Sequence, residues 1–177
     1  MSKSEITFQA AVAGLLAGDF SRLAPLFTDD AGQRCAVIEW YKQGLFANEP
    51  QALAEALTCA CFNGCVSVAE TLLNENVDAE AGNGTGMNAL HWAADRGQLE
   101  VVRLLLQRQM PLETRNMYGG TVLSGTVWAF FHEPRANHLK IIEALLEAGA
   151  QADAVEYPTG NVQIDGLLQR YNMNPQR

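Results

Sequence analysis

The stretch "GMNALHWAADRGQLEVVRLLLQ", residues 86–107, decides the fold, because it contains two short helical patterns separated by a glycine. In the first pattern Leu90, Ala93 and Ala94 fall at i, i+3 and i+4, so they share one narrow helical face. Gly97 ends this pattern, and a second apolar face follows it, made of Leu99, Val102, Leu105 and Leu106. Two helices this short cannot bury their apolar faces alone, so the stretch predicts one unit of a stacked helical array.

The same frame recurs at an offset of 33 residues on both sides of this stretch. One offset earlier, Gly64 falls on Gly97, and one offset later, Leu123 falls on Leu90. A fixed period of this length indicates a repeat architecture, in which stability comes from the contacts between neighbouring units.

The stretch "NALHWAA", Asn88 to Ala94, together with the "GQLEVVRLLL" that follows it, resembles the ankyrin repeat family. That family has a unit of this period and a T-P-L-H-x-A-A signature. The later "IIEALLEAGAQADA", residues 141–154, is similar to the family's L-L-x-x-G-A-x-x-N ending. The resemblance implies an all-α solenoid of helix-turn-helix units with hairpin-like turns, in which the signature histidine, here His91, ties adjacent units together. It also implies protein binding, through the turns and the exposed face of the first helices.

We therefore expect a single ankyrin-repeat-like domain over residues 1–177. Its predicted parts are a degenerate N-terminal cap unit with an inserted helix at 6–48, repeats at 50–82, 83–115 and 116–154, and a C-terminal cap helix within 155–177. Gly18 is expected to separate the two helices of the degenerate unit. The third repeat carries a seven-residue insertion, because Leu123 to Ile141 spans 18 residues where Leu90 to Val101 spans 11, and the extra residues lie within "VWAFFHEPRANH".

Residues that do not recur between units are the candidates for partner recognition, since the recurring ones serve packing. Aromatic residues, methionine and arginine are the types enriched at interface centres. An open alternative is that Trp92 and Met117 pack within the scaffold and that the aromatic insertion only lengthens the core. The predicted partner-binding residues are Thr85, Met87, Trp92, Asp95 and Arg96 in the second unit, Arg115, Met117 and Tyr118 at the following turn, and Trp128, Phe130, Phe131, His132 and Arg135 in the insertion.

Charge and hydropathy restrict the function further. The net charge is −8, and residues 1–82 hold 4 Lys or Arg against 11 Asp or Glu. This acidity argues against a nucleic-acid partner, and it would attract a basic protein. The apolar runs are too short for a membrane span, and crowded cysteines suit reduced thiols, so we expect a cytoplasmic protein.

Enzyme chemistry has no support in the sequence: no nucleophile or third ligand accompanies His91 and Asp95, which could form an acid–base pair at i and i+4. The sequence thus predicts a non-catalytic protein that binds and regulates or inhibits a partner. An inhibitor of the bacterial immunity type suits a small acidic chain by analogy only. No cofactor is expected.

Two other functions stay open. One is a thiol- or metal-dependent function centred on Cys59, Cys61 and Cys65, with Cys59 expected to be partly exposed and therefore the reactive thiol. The other is a self-associating structural module.

Overall fold

A computed structural model of the chain describes residues 6–27, 35–81 and 84–172. Within these ranges the regular structure is helical and contains no strand, which confirms the predicted all-α class. The ten α-helices of this part are α1 Phe8–Ala17, α2 Phe20–Leu23, α3 Ala36–Lys42, α4 Pro50–Phe62, α5 Val66–Asn74, α6 Ala89–Asp95, α7 Leu99–Gln107, α8 Val122–His132, α9 His138–Glu147 and α10 Val162–Asn172.

The helices form two layers, as expected of a repeat solenoid. Helices α1, α4, α6 and α8 pack side by side in one layer, and α5, α7, α9 and α10 form the other. Within the first layer the contact faces carry small side chains such as Ala60, Ala93 and Ala94, all fully buried, which lets neighbouring helices approach closely. Leu57, Leu90 and Leu123 recur at the same register and are also fully buried. Stacking of units therefore builds one continuous core.

The turn between the two helices of a unit depends on a glycine. Gly64 and Gly97 occupy the same register, and both adopt a left-handed backbone with φ of 73°. A Cβ atom at Gly97 would also lie only 2.7 Å from the Cβ of Arg135, which belongs to the next unit. Gly97 is thus required both by its own backbone and by the close approach of its neighbour.

The first residue of the signature starts a helix in two units but not in the earlier one. Asn88 accepts a hydrogen bond from the His91 amide at 3.1 Å, and Thr121 accepts one from the Ser124 amide at 3.3 Å. Glu55 has the same register, yet α4 already begins at Pro50, so Glu55 lies inside the helix. Glu55 is 1% exposed, and this burial raises the pKa of its carboxyl to about 7.

Both ends of the stack are covered by helices outside the strict repeat. At the front, α1 and the four-residue α2 are separated by Gly18 in the left-handed conformation, and α3 carries Trp40. At the back, α10 packs on α9 and buries Ile164 and Leu168. No helix in the described ranges has both the length and the apolar character needed to cross a bilayer. Residues 173–177 of the predicted C-terminal cap and residues 28–34 of the predicted N-terminal cap lie outside the described residues.

Candidate protein-binding surface

The aromatic insertion lengthens α8 and exposes one of its faces. Whereas α6 spans seven residues, α8 spans eleven and is followed by an irregular connection over residues 133–137. Trp128, Phe131 and His132 fall at i, i+3 and i+4 and share a face. The first two are 55% and 46% exposed, and His132 is exposed as well, whereas Phe130 packs against the core. We name Trp128, Phe131 and His132 the α8 patch.

Contacts within the α8 patch order its side chains. The rings of Trp128 and His132 stack with centroids 4.2 Å apart and planes 10° from parallel. His132 Nδ1 lies 2.8 Å from the Trp128 carbonyl, and because a carbonyl only accepts, Nδ1 carries the proton. Phe131 makes an edge-to-face contact with Phe130 at 5.2 Å. An exposed surface held in this way loses little side-chain entropy when a partner binds.

The connection after the α8 patch is anchored on the preceding unit through His138. This histidine is fully buried, and its Nε2 donates to the Asp95 carbonyl at 2.9 Å. Its Nδ1 accepts a hydrogen bond from the Arg135 amide at 3.2 Å. Asn137 adds a bond from Nδ2 to the Gly97 carbonyl at 3.1 Å. Both ring nitrogens of His138 therefore help to fix the insertion to the preceding unit.

Gln98 makes the equivalent bond one unit earlier. When α7 and α9 are aligned across the insertion, Gln98 falls on His138, and its Nε2 donates to the Phe62 carbonyl at 3.1 Å. Phe62 and Asp95 are the last residues of α4 and α6, so each bond satisfies a carbonyl that the helix itself leaves open. These links between units were missed by the sequence reasoning, although alignment across the insertion would have paired the two residues.

A small network of charges borders the α8 patch. Arg96 Nη1 lies 3.5 Å from Glu133 Oε2 and 4.0 Å from Asp95 Oδ2, and Arg135 Nη2 lies 3.8 Å from the same Glu133 oxygen. The Arg96 guanidinium also lies over the Phe62 ring, 4.7 Å from its centroid. Burial raises the pKa of Asp95, Arg96 lowers it, and the nearby Glu133 carboxylate raises it further. Three of the predicted binding residues, Asp95, Arg96 and Arg135, thus meet around Glu133.

Trp92 packs into the scaffold against the same Phe62 ring that lies under Arg96. It makes edge-to-face contacts with Phe62 at 5.4 Å and with Phe20 at 5.9 Å. The indole remains only partly exposed. Trp92 therefore serves packing first.

The predicted residues at the turns form a separate exposed tip. Met117 and Tyr118 are 63% and 79% exposed, and Arg115 is exposed too. The tip is tied to the preceding turn, where the Met117 amide donates to the Thr85 carbonyl at 2.9 Å. Thr85 itself and Met87 are half-buried. The structure thus places three of the thirteen predicted residues in the α8 patch, three in its charged border and three, Arg115, Met117 and Tyr118, at a turn tip, whereas Trp92, Phe130, Thr85 and Met87 are packed or half-buried.

The expectation that Cys59 is partly exposed and reactive is wrong. Its side chain is fully buried, with Sγ 3.7 Å from the Phe20 carbonyl, and burial raises the pKa of its thiol well above the ordinary value. Cys61 is fully buried as well, and Cys65 is half-buried with a raised pKa. Among the described residues no three His, Cys, Asp or Glu side chains are placed to hold a metal ion.

His91 is used for structure rather than paired with Asp95. Its Nδ1 lies 2.8 Å from Asn88 Oδ1, and the ring is buried. Burial lowers the pKa of His91, while the nearby Gly120 and Thr114 carbonyls raise it. Gly120 belongs to the next unit, so the histidine faces the boundary between units.

Comparison with known families agrees with this geometry. The family model described as ankyrin repeats, with three copies, matches residues 33–116 and 57–156. The chain belongs to the ankyrin repeat family. Ankyrin repeats indicate a protein–protein interaction module. In this ankyrin-repeat scaffold, the exposed residues described above are not used for packing between the helices.

Proposed function

We propose that this ankyrin-repeat chain is a non-catalytic module that binds a protein partner through the α8 patch, with the turn tip of Met117 and Tyr118 as a second contact. The observation that carries the proposal is an aromatic surface that is both exposed and anchored by the buried His138. Trp128 and Phe131 would supply the apolar centre of the interface, and the charges of Asp95, Arg96, Glu133 and Arg135 its polar border.

We also propose the kind of partner and the cellular compartment. A net charge of −8 favours a basic protein over nucleic acid, because phosphate contacts need a clustered basic surface. The four cysteines are free thiols, which suits the cytoplasm, since disulfides persist mainly in oxidising compartments. We propose the repeat boundaries at 50–82, 83–115 and 116–154, between an N-terminal cap at 6–48 and a C-terminal cap at 155–177. Binding at the α8 patch would regulate or inhibit the partner by covering the surface that it contacts.

The test is a pull-down from source cells with three forms of the full chain. These are the wild type, the patch variant Trp128→Ala/Phe131→Ala, and the control variant Leu45→Ala/Val162→Ala, which removes exposed apolar side chains elsewhere on the molecule. We expect the wild type and the control to retain the same partner and the patch variant to lose it by about ten-fold or more, as for hot-spot residues. Circular dichroism checks that all three are folded. Equal capture by a folded patch variant, or capture of nothing but further copies of the chain, contradicts the proposal.

A further inference from the structure

We propose that the α8 patch receives a Lys or Arg side chain of the partner, which lies on the open face of Trp128 and pairs with the carboxylates of Asp95 and Glu133. This inference rests on the proposed function, because it specifies the chemistry of the partner that the α8 patch binds. The evidence for it is the exposed face of Trp128, the open space at Gly125 and the incompletely compensated charge of Asp95.

The Trp128 indole has one face available for a cation. His132 stacks on one side of the ring, and no other ring or cation is stacked on it among the described residues. The side chain is 55% exposed. Tryptophan is the best aromatic acceptor for Lys and Arg cations, and the interaction strengthens when a partner excludes water from it.

Gly125 leaves open space on α8. It lies one turn before Trp128 in α8, at the register where α6 carries Trp92. A Cβ atom added there would meet nothing within 4 Å, and its backbone is not in the left-handed region. Nothing in the described part of the molecule therefore requires a glycine at this position, and glycine costs helix stability relative to alanine. Close approach of a partner side chain would make use of the gap.

The carboxylate of Asp95 is incompletely compensated. Asp95 has the register of Trp128 on the neighbouring helix, and neighbouring helix axes lie about 8–10 Å apart, within reach of a Lys or Arg side chain. Its nearest cation in the described part of the chain is Arg96, at 4.0 Å, which is beyond hydrogen-bond distance. Burial and the neighbouring Glu133 both disfavour its charge, as the raised pKa of Asp95 indicates. A cation arriving from a partner would stabilise the Asp95 carboxylate.

The two arginines of the border are less available to an acidic partner. Arg96 is held over the Phe62 ring and already faces two carboxylates. Arg135 is 44% exposed, but it pairs with Glu133. The chain as a whole carries a net charge of −8, which attracts a basic segment and repels an acidic one. The observations therefore favour a basic side chain over an acidic one.

The test is selection from a random peptide library displayed on phage, with the full chain as bait and the Trp128→Ala/Phe131→Ala variant for counter-selection. We expect peptides that depend on the α8 patch to be enriched in Lys or Arg beside an apolar residue. Patch-dependent peptides that are acidic or uncharged overturn the inference and leave the proposed function standing. Absence of any patch-dependent peptide overturns both.

The selected peptide, made synthetically, tests the roles of the individual residues. Replacing its Lys or Arg by Gln should weaken binding about ten-fold, and Asp95→Asn and Glu133→Gln should each weaken it several-fold, as expected for partly desolvated charge pairs. Glu100→Gln is the matched control, because it removes an exposed acid from α7 in the other helical layer. Equal loss in the control, or no loss in Asp95→Asn and Glu133→Gln, overturns the inference.

Discussion

Helices α6 and α8 occupy equivalent places in neighbouring units, yet their outward faces differ. On α6 the face carries Trp92, which is covered by Phe20 and Phe62. On α8 the equivalent position is Gly125, and the aromatic residue lies one turn later, at the exposed Trp128. Register determines which positions face outward, but neighbouring helices determine whether they are covered. Phe20 of α2 packs on Trp92 of α6, whereas Trp128 of α8 remains 55% exposed.

The largest expected effect contrasts the two tryptophans. Trp92→Ala should lower the free energy of unfolding by about 4 kcal/mol, because it removes the centre of an aromatic cluster. Trp128→Ala should lower it by less than about 1 kcal/mol, because the side chain is mostly exposed. Denaturant unfolding followed by circular dichroism measures both. Similar losses in the two variants would show that α8 is covered in the same way as α6.

The next effect extends the comparison to α4, where Glu55 takes the register of the capping residues Asn88 and Thr121. Burial raises the pKa of Glu55 from 4.5 to about 7. Between these values the unfolded chain releases a proton that the folded chain keeps, so stability falls as the pH rises and levels off above about 7. This contribution amounts to roughly 3 kcal/mol.

Glu55→Gln should remove this pH dependence, so its stability relative to wild type should improve by about that amount between pH 4.5 and pH 7. Unfolding curves at a series of pH values measure the difference. Glu100→Gln, an exposed acid, is the control. A difference between Glu55→Gln and wild type that is the same at every pH would contradict the buried, protonated state.

The smallest effect contrasts Gly97, in the turn before α7, with Gly125, within α8. Gly97→Ala should cost about 2 kcal/mol, because φ is positive and the new Cβ meets Arg135. Gly125→Ala should instead add about 0.5–1 kcal/mol, because α8 gains helix propensity and the Cβ meets nothing. Thermal unfolding of both variants measures the signs. A loss of stability in Gly125→Ala would mean that the gap beside Trp128 is needed by the fold itself.

The fold was predictable because it depends on residues that recur. The period of 33, the glycine at Gly64 and Gly97, and the buried leucines at Leu57, Leu90 and Leu123 all express the same packing requirement in each unit. The class of the fold and the family follow from that repetition.

The candidate surface was only partly predictable, because exposure depends on contacts between segments far apart in sequence. Cys59 aligns with the partly exposed Trp92, yet it is buried beneath Phe20, which is 39 residues earlier. His138 anchors the insertion through the Asp95 carbonyl, 43 residues away. Residue type and register predict neither of these two contacts, because the acceptor is a backbone carbonyl, which cannot be recognised from the sequence.

The bonds from Gln98 and His138 couple the stability of neighbouring units. The first helices α4 and α6 end on the carbonyls of Phe62 and Asp95, and each of these carbonyls accepts a hydrogen bond from the following unit. Loosening of one unit therefore leaves either a helix-end carbonyl or the Gln98 or His138 donor of its neighbour without a partner, so that fraying spreads from unit to unit in both directions. A partner that clamps the α8 patch would work in the opposite sense, steadying the unit it touches and, through these bonds, the units before it.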